Sequence, residues 1–285
     1  MLDLSLLNSN ISPFPGLYLS NIINLLPLFL LATIRVGAFI LSAPLFGMNG
    51  VPTPVRIVIS FILGLAVVSF VGLPPEDLLK NLNFIFIVMI EIAIGLTAGL
   101  IVTILFASVA LAGEKMATSA GLGYAAQIDP MAGGQTPVIS QTLNLFLIVL
   151  FVSLDAHLLM LRIFFESYSI LPIGSMPPPQ VLIGAGIKAA GSMFVAASLI
   201  MLPVVGIILM INVAAGIMTR SAPQLNLFSF VFPVTILSAF IILYFSTGTM
   251  ALAFSDLIFS TIEALEDLMI GISDGWTIRR WSRKN

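Results

Sequence analysis

The stretch GLGYAAQIDPMAGGQTPVISQTLN, from Gly121 to Asn144, decides how the rest of the chain is read. It is the longest segment that is neither continuously apolar nor clearly periodic, and it lies between two very apolar blocks, Phe84 to Ala112 and Leu143 to Leu161. Its glycines, Gly121, Gly123, Gly133 and Gly134, admit backbone angles that other residues avoid. Pro130 and Pro137 each remove a backbone donor and fix a dihedral. A continuous helix through the segment would be costly, so a loop held between two membrane helices is expected.

Composition fixes what surrounds that loop. Of 285 residues, 59% are hydrophobic and 8% are charged, with a mean hydropathy of +1.14. A soluble domain carries about 25% charged residues, and a soluble fold built from this chain would leave far too much apolar surface in water. An all-α integral membrane protein is expected. The net charge of −2 and pI near 5.3 give no basic excess for nucleic acid. There is no cysteine, which removes disulfides, thiolate nucleophiles and thiol-ligated metal sites. No phosphate-binding glycine loop, nucleophile elbow or helix-borne pair of zinc histidines is present. The sequence therefore argues for no enzyme, no cofactor and no metal.

Six blocks approach or exceed the roughly 20 apolar residues that a membrane span needs: Ile22 to Phe46, Arg56 to Gly72, Phe84 to Ala112, Leu143 to Leu161, Val181 to Val213 and Phe228 to Ala253. About six long hydrophobic helices follow, in a single domain over residues 1–285. Two blocks are long for one crossing and must tilt, extend beyond the bilayer or break. Pro203, with Gly206 nearby, is the expected kink in one of them. The connections at Gly47–Arg56, Gly72–Asn81 and Leu171–Gln180 are short and proline-rich, and the triple proline of the last favours an extended spacer. The opening MLDLSLLNSNISPFPG has no Lys or Arg ahead of an apolar run, so no cleavable signal peptide is expected.

The character changes over residues 256–285. Ile258, Ile262, Leu265, Met269 and Ile272 share one helical face, and Glu263, Glu266 and Asp267 lie elsewhere, which is an amphipathic helix. Trp276 and Trp281 suit the membrane interface, and Arg279, Arg280, Arg283 and Lys284 make the one basic cluster, which places this tail in the cytoplasm by hydropathy. Six full crossings would put the N-terminus there too, and the parity fails if any block does not cross.

Ionisable groups at membrane depth cost about 2.5–3.5 kcal/mol each on insertion scales. Arg35 and Glu91 lie inside apolar blocks, where they form either an ion relay or a structural pair or polar contact with neighbouring subunits. A single acid makes a poor relay, which favours the structural role. Asp155 and His157, in SLDAHLLML, suggest proton coupling. Residues at i and i+2 do not face each other on a helix, however, so polar packing near a helix end is the simpler account. Lys188 can snorkel to the interface.

Ordered along nearly the whole chain are Arg35 with Pro44, Pro52, Pro54 and Arg56; EIAIGLTAGL at Glu91–Leu100; Asp129-Pro130 and PVISQTLNLF; AHLLML; SYSILPIG at Ser167–Gly174; and RSAPQLNLF at Arg220–Phe228, with Arg220, Pro223, Gln224 and Asn226. In these pieces the chain resembles the FliR family, the flagellar export-gate subunit whose counterpart in virulence-type secretion systems is SctT. PVISQTLNLF looks more like the flagellar version. Asp155-Ala156 departs from the family's more usual Asn-Gly, and only Tyr124 is aromatic where the family tends to place aromatics near both Tyr124 and Gln127.

The resemblance implies an inner-membrane subunit of the type III export apparatus at the flagellar basal body. It implies a fold of kinked hairpins with a FliP-like portion joined to a FliQ-like one, raised toward the periplasm rather than crossing six times. The implied partners are FliP-like and FliQ-like subunits forming a channel, an FlhB-like subunit on the cytoplasmic side, membrane lipid, and unfolded rod, hook and filament proteins in transit. A cytoplasmic ATPase and the proton motive force would supply energy. Within it, residues 121–135 would plug the resting pore, with Gly121, Gly123, Tyr124, Gln127, Asp129, Pro130, Gly133 and Gly134 as the gate residues. The alternative from another class is a proton-coupled secondary transporter of a small solute, with Glu91, Asp155 and His157 as its relay.

Overall fold

The computed structural model describes residues 19–44, 52–71, 84–122, 137–175, 177–221 and 231–282, with side chains described between Leu26 and Gly271. Among the described residues the regular structure is helical: α1 (Leu19–Ser42), α2 (Thr53–Val71), α3 (Phe84–Ser119), α4 (Val138–Ser153), α5 (Ala156–Ile170), α6 (Pro179–Ser221) and α7 (Phe232–Ser282). The protein is an all-α membrane protein, and the described residues of the six apolar blocks are almost all helical.

Among the described residues four helices, α2, α3, α6 and α7, are long and apolar enough to cross a bilayer, and a fifth span is reached if α4 and α5 count as one bent unit. The α1 helix runs over 24 residues, with its side chains described from Leu26. Its Leu28, Leu31, Ala32, Val36, Phe39 and Ile40 are buried against protein. Hydropathy registers the need for an apolar environment and is blind to whether lipid or protein supplies it.

The overlong blocks stay helical throughout. At about 1.5 Å per residue, the 36 residues of α3, 43 of α6 and 51 of α7 reach far beyond a hydrocarbon core of about 30 Å. The α3 helix runs past its apolar block because Glu114 and Lys115 are exposed while Ala112, Met116, Ala117 and Ala120 stay buried on one face. The α6 helix remains helical through Pro203. It opens on Pro179, after the non-helical Pro177 and Pro178, at a position where a missing N–H leaves no ladder bond unmade. The amphipathic C-terminal face is present, with Ile258, Ile262, Leu265 and Met269 buried and Glu263, Glu266 and Asp267 exposed. It belongs to the same helix as the apolar block before it.

The chain divides into two compact units. One comprises Met1–Gly99, Phe165–Pro178 and Ile272–Asn285. In it α1 packs on α2, with Phe29 and Phe61 ring centroids 5.8 Å apart. Gly64 faces Thr33 so closely that a Cβ there would meet its side chain. The other unit comprises Leu100–Phe164 and Pro179–Gly271. Its aromatic contacts include Phe106–Phe151 at 5.7 Å and Phe146–Phe254 at 5.6 Å.

Candidate functional site: a buried ion pair and the frame of the gate loop

Within the first unit, Glu91, Gly95 and Gly99 recur every four residues and so share one face of α3. That face meets α1. A Cβ on Gly95 would strike Arg35 O and come within 2.8 Å of Ala38 Cβ, and one on Gly99 would strike Ser42 Oγ. Small residues let the two backbones approach, as membrane helices require when no solvent drives them together. Close approach brings the Arg35 Nε to 2.6 Å from Glu91 Oε2, with both side chains wholly buried.

The rest of the cluster comes from the end of α5 and the turn after it. Arg35 Nη1 and Nη2 each donate to Leu171 O at 3.1 Å, and Nη1 also reaches Ser167 O at 3.4 Å. The guanidinium lies 4.3 Å from the centroid of the Tyr168 ring, a cation–π contact. Tyr168 Oη in turn donates to Ala32 O at 2.9 Å. Gly174 N donates to Glu91 Oε1 at 3.1 Å, with Gly174 at φ 89° in the left-handed region open to glycine. Both carboxylate oxygens and the guanidinium are thus partnered, which is the condition under which a buried pair is tolerated. The geometry is that of a brace joining three segments distant in sequence.

The frame of the loop lies in the second unit. The α3 helix ends in a turn where Gly121 N donates to Thr118 O and Leu122 N to Ala117 O, both at 3.0 Å. Gly121 has φ 89°, so this is a Schellman cap with glycine at the position that demands it. The chain is described again at Pro137, which caps α4 with φ −55° and ψ 142°, its carbonyl accepting from Gln141 N at 3.1 Å. Three residues on, Ser140 Oγ donates to Ala110 O at 3.0 Å. There α3 carries Gly113, where a Cβ would fall 2.5 Å from Ser140 Cα. Both ends of the loop are fixed to the same helix.

Comparison with known proteins finds that residues 26–261 match the model of bacterial export proteins, family 1. The chain belongs to this family. It is also similar to the flagellar biosynthetic protein FliR of Bacillus subtilis, 30% identical over 90% of this chain and 100% of the relative. The FliR of Pectobacterium carotovorum is 30% identical over 76% of this chain and 82% of its own length, and that of Escherichia coli 28% over 74% and 80%. As a member of the bacterial export proteins, family 1, the chain is a membrane component of the flagellar protein export apparatus rather than an enzyme.

In this export protein the single block Leu143–Leu161 is two helices, α4 and α5, bent by 65°. Asp155 makes the bend. Its φ of 52° is left-handed, its N–H donates back to Val152 O at 3.1 Å, and its carbonyl accepts from Leu158 and Leu159 N to start α5. Asp and Asn enter this region more readily than other side chains, and an Asn-Gly pair suits the same turn. The Asp155 side chain is exposed, while the half-buried His157 ring contacts Phe151 at 6.5 Å. No ion pair joins the two among the described residues. Lys188 is exposed and lies 3.7 Å from Asp267.

Of the remaining sequence candidates, Arg220 is exposed at the end of α6. Pro223, Gln224 and Asn226 lie outside the described residues, as do Gly123, Tyr124, Gln127, Asp129, Pro130, Gly133 and Gly134. Tyr168, Leu171 and Gly174 were not singled out by sequence as partners of Arg35 and Glu91. The signal was at hand in SYSILPIG, one of the ordered family pieces, but its spacing says nothing about which helix it closes on.

Proposed function

We propose that this export protein is the FliR-type subunit of the flagellar type III export gate in the bacterial inner membrane, acting as one domain with its basic tail in the cytoplasm. With FliP-like and FliQ-like subunits it builds the channel through which unfolded rod, hook and filament proteins leave the cell, with an FlhB-like subunit docked on the cytoplasmic side. Residues 121–135 are the plug that closes the resting channel and moves aside for a chain in transit. The observation that carries this reading is the contrast at the loop. A glycine-rich polar sequence containing Pro130 lies between a Schellman cap at Gly121 and a packed helix start at Pro137 and Ser140. Fixed ends flanking a sequence rich in glycine suit a part that must move and return. The overlong α3, α6 and α7 agree with an assembly that extends beyond the bilayer.

A photo-crosslinking probe at Tyr124, in cells where an exported protein is stalled in transit, tests the plug. Adducts between the probe and the stalled chain are expected. An assembled, correctly folded gate that yields none would mean the loop does not face the export path.

A further inference from the structure

In the second unit the end of α6 and the start of α7 leave a cavity of about 310 Å³ between them. Ile211, Ala214, Ala215 and Met218 line it from α6, at the spacing of one helical face, and Val231 and Val234 line it from the other side. Thr219 also borders it, but its hydroxyl donates to Gly216 O at 3.0 Å, and the wall is wholly apolar. The space is about ten times the roughly 30 Å³ that one water takes up in the liquid, and without polar partners it would not hold water. It is only half enclosed, and α6 exposes Met210, Val213 and Ile217 along the same stretch. Something apolar has to fill it.

Charge sets the chemistry of the occupant. Between Lys188 and Arg220 the α6 helix carries no charged residue, and Arg220 stands exposed in its last turn. At about 1.5 Å per residue, the stretch from Met218 back to Ile211 lies about 3 to 14 Å along the axis from Arg220. That is within one half of a hydrocarbon core of about 30 Å. An apolar slot at such a depth from a cation matches a phospholipid, whose acyl chains begin close beneath its phosphate. We propose that this slot is a binding site for an anionic phospholipid, with one acyl chain between α6 and α7 and the headgroup phosphate on Arg220, whose planar fork suits two phosphate oxygens. The bound chain does for this helix pair what a core side chain does in a soluble protein, filling the gap and holding the end of α6 against the start of α7. The proposal stands whether or not residues 121–135 plug the channel.

The test uses the full chain assembled in its membrane complex and reconstituted with phosphatidylglycerol that carries a photoactivatable group on one acyl chain, the adducts being mapped by peptide mass spectrometry. Adducts should concentrate on Ala214, Ala215, Met218 and Val234, several-fold above those on Met210, an exposed residue of α6 outside the slot. Ala215→Phe, which fills the slot, should lower labelling there about tenfold, the equivalent of roughly two buried methylene groups, and leave Met210 unchanged. Arg220→Gln should lower it about fivefold, and Arg220→Lys, which keeps the charge, should restore most of it. A diacylglycerol probe with the same chains and no phosphate should label the slot no better than the phospholipid labels Arg220→Gln, and glycerol phosphate, which has no chains, should not compete. Labelling that is even along α6 would mean bulk lipid only, and a slot left unlabelled beside a labelled Met210 would mean that a protein segment fills it. Either result overturns the proposal, as does an Arg220→Gln complex that labels like the unaltered protein. Where Ala215→Phe fails to assemble, the two Arg220 variants and the two control compounds decide.

Discussion

The Arg35–Glu91 cluster and the end of α3 are two solutions to the same problem, that of satisfying backbone and side-chain polar groups away from water. In the first, a wholly buried Arg35 and Glu91 meet at 2.6 Å, Arg35 Nη1 and Nη2 both donate to Leu171 O, and Gly174 N donates to the Glu91 carboxylate. In the second, the Thr235 hydroxyl of α7 donates to Ala120 O at 3.1 Å and the Asn212 amide of α6 to Ser119 O at 3.4 Å. The difference lies in what happens when a partner is lost. Removing one ion strands a buried charge, whereas removing a neutral donor costs one modest hydrogen bond. Charge has gone where three segments must never part, and neutral groups where an adjacent loop is proposed to move.

The largest effect that can break this contrast is at the ion pair. Glu91→Ala should lower the stability of the assembled protein by about 3–5 kcal/mol, read as thermal unfolding in mild detergent and as loss of assembled complex. Replacing Arg35 and Glu91 together with apolar residues should recover much of that loss, since an uncompensated charge is no longer left behind. A single substitution costing no more than the Thr235 hydroxyl would erase the distinction. The glycines sharpen it at smaller scale. Gly113→Ala forces a Cβ against the Ser140 backbone and should cost about 1–3 kcal/mol as overpacking, felt at the second anchor of the loop. Gly206→Ala meets nothing within 4 Å and should stabilise α6 by up to about 1 kcal/mol through helix propensity.

The sequence disclosed the elements far better than their joints. The six apolar blocks and the face of Ile258, Ile262, Leu265 and Met269 are matters of composition and period, and they were legible as such. Arg35 and Glu91 were legible as an expensive pair, because burial of charge demands a partner. The bend at Asp155 was legible only as polar packing near a helix end, because one residue with φ 52° interrupts a run that is apolar on average and holds no proline or glycine at that point. The end of α3 was misplaced because Glu114 and Lys115 look like a boundary in hydropathy and are only its exposed face. Tyr168, Asn212 and Thr235 could not be found at all from spacing. Their partners lie 136, 93 and 115 residues away, and only packing brings them near. The loop itself was legible as an interruption, and the structure adds how its two ends are held.

The central claim is that the loop closes the resting channel. Removing Gly123–Ile128, which leaves the Gly121 cap and the Pro137 start intact, and measuring the resting permeability of membranes carrying the assembled complex tests it most directly. The account predicts leakage of ions and small solutes with a normal amount of assembled complex. Membranes that remain as tight as those with the unaltered protein, at equal assembly, would contradict it.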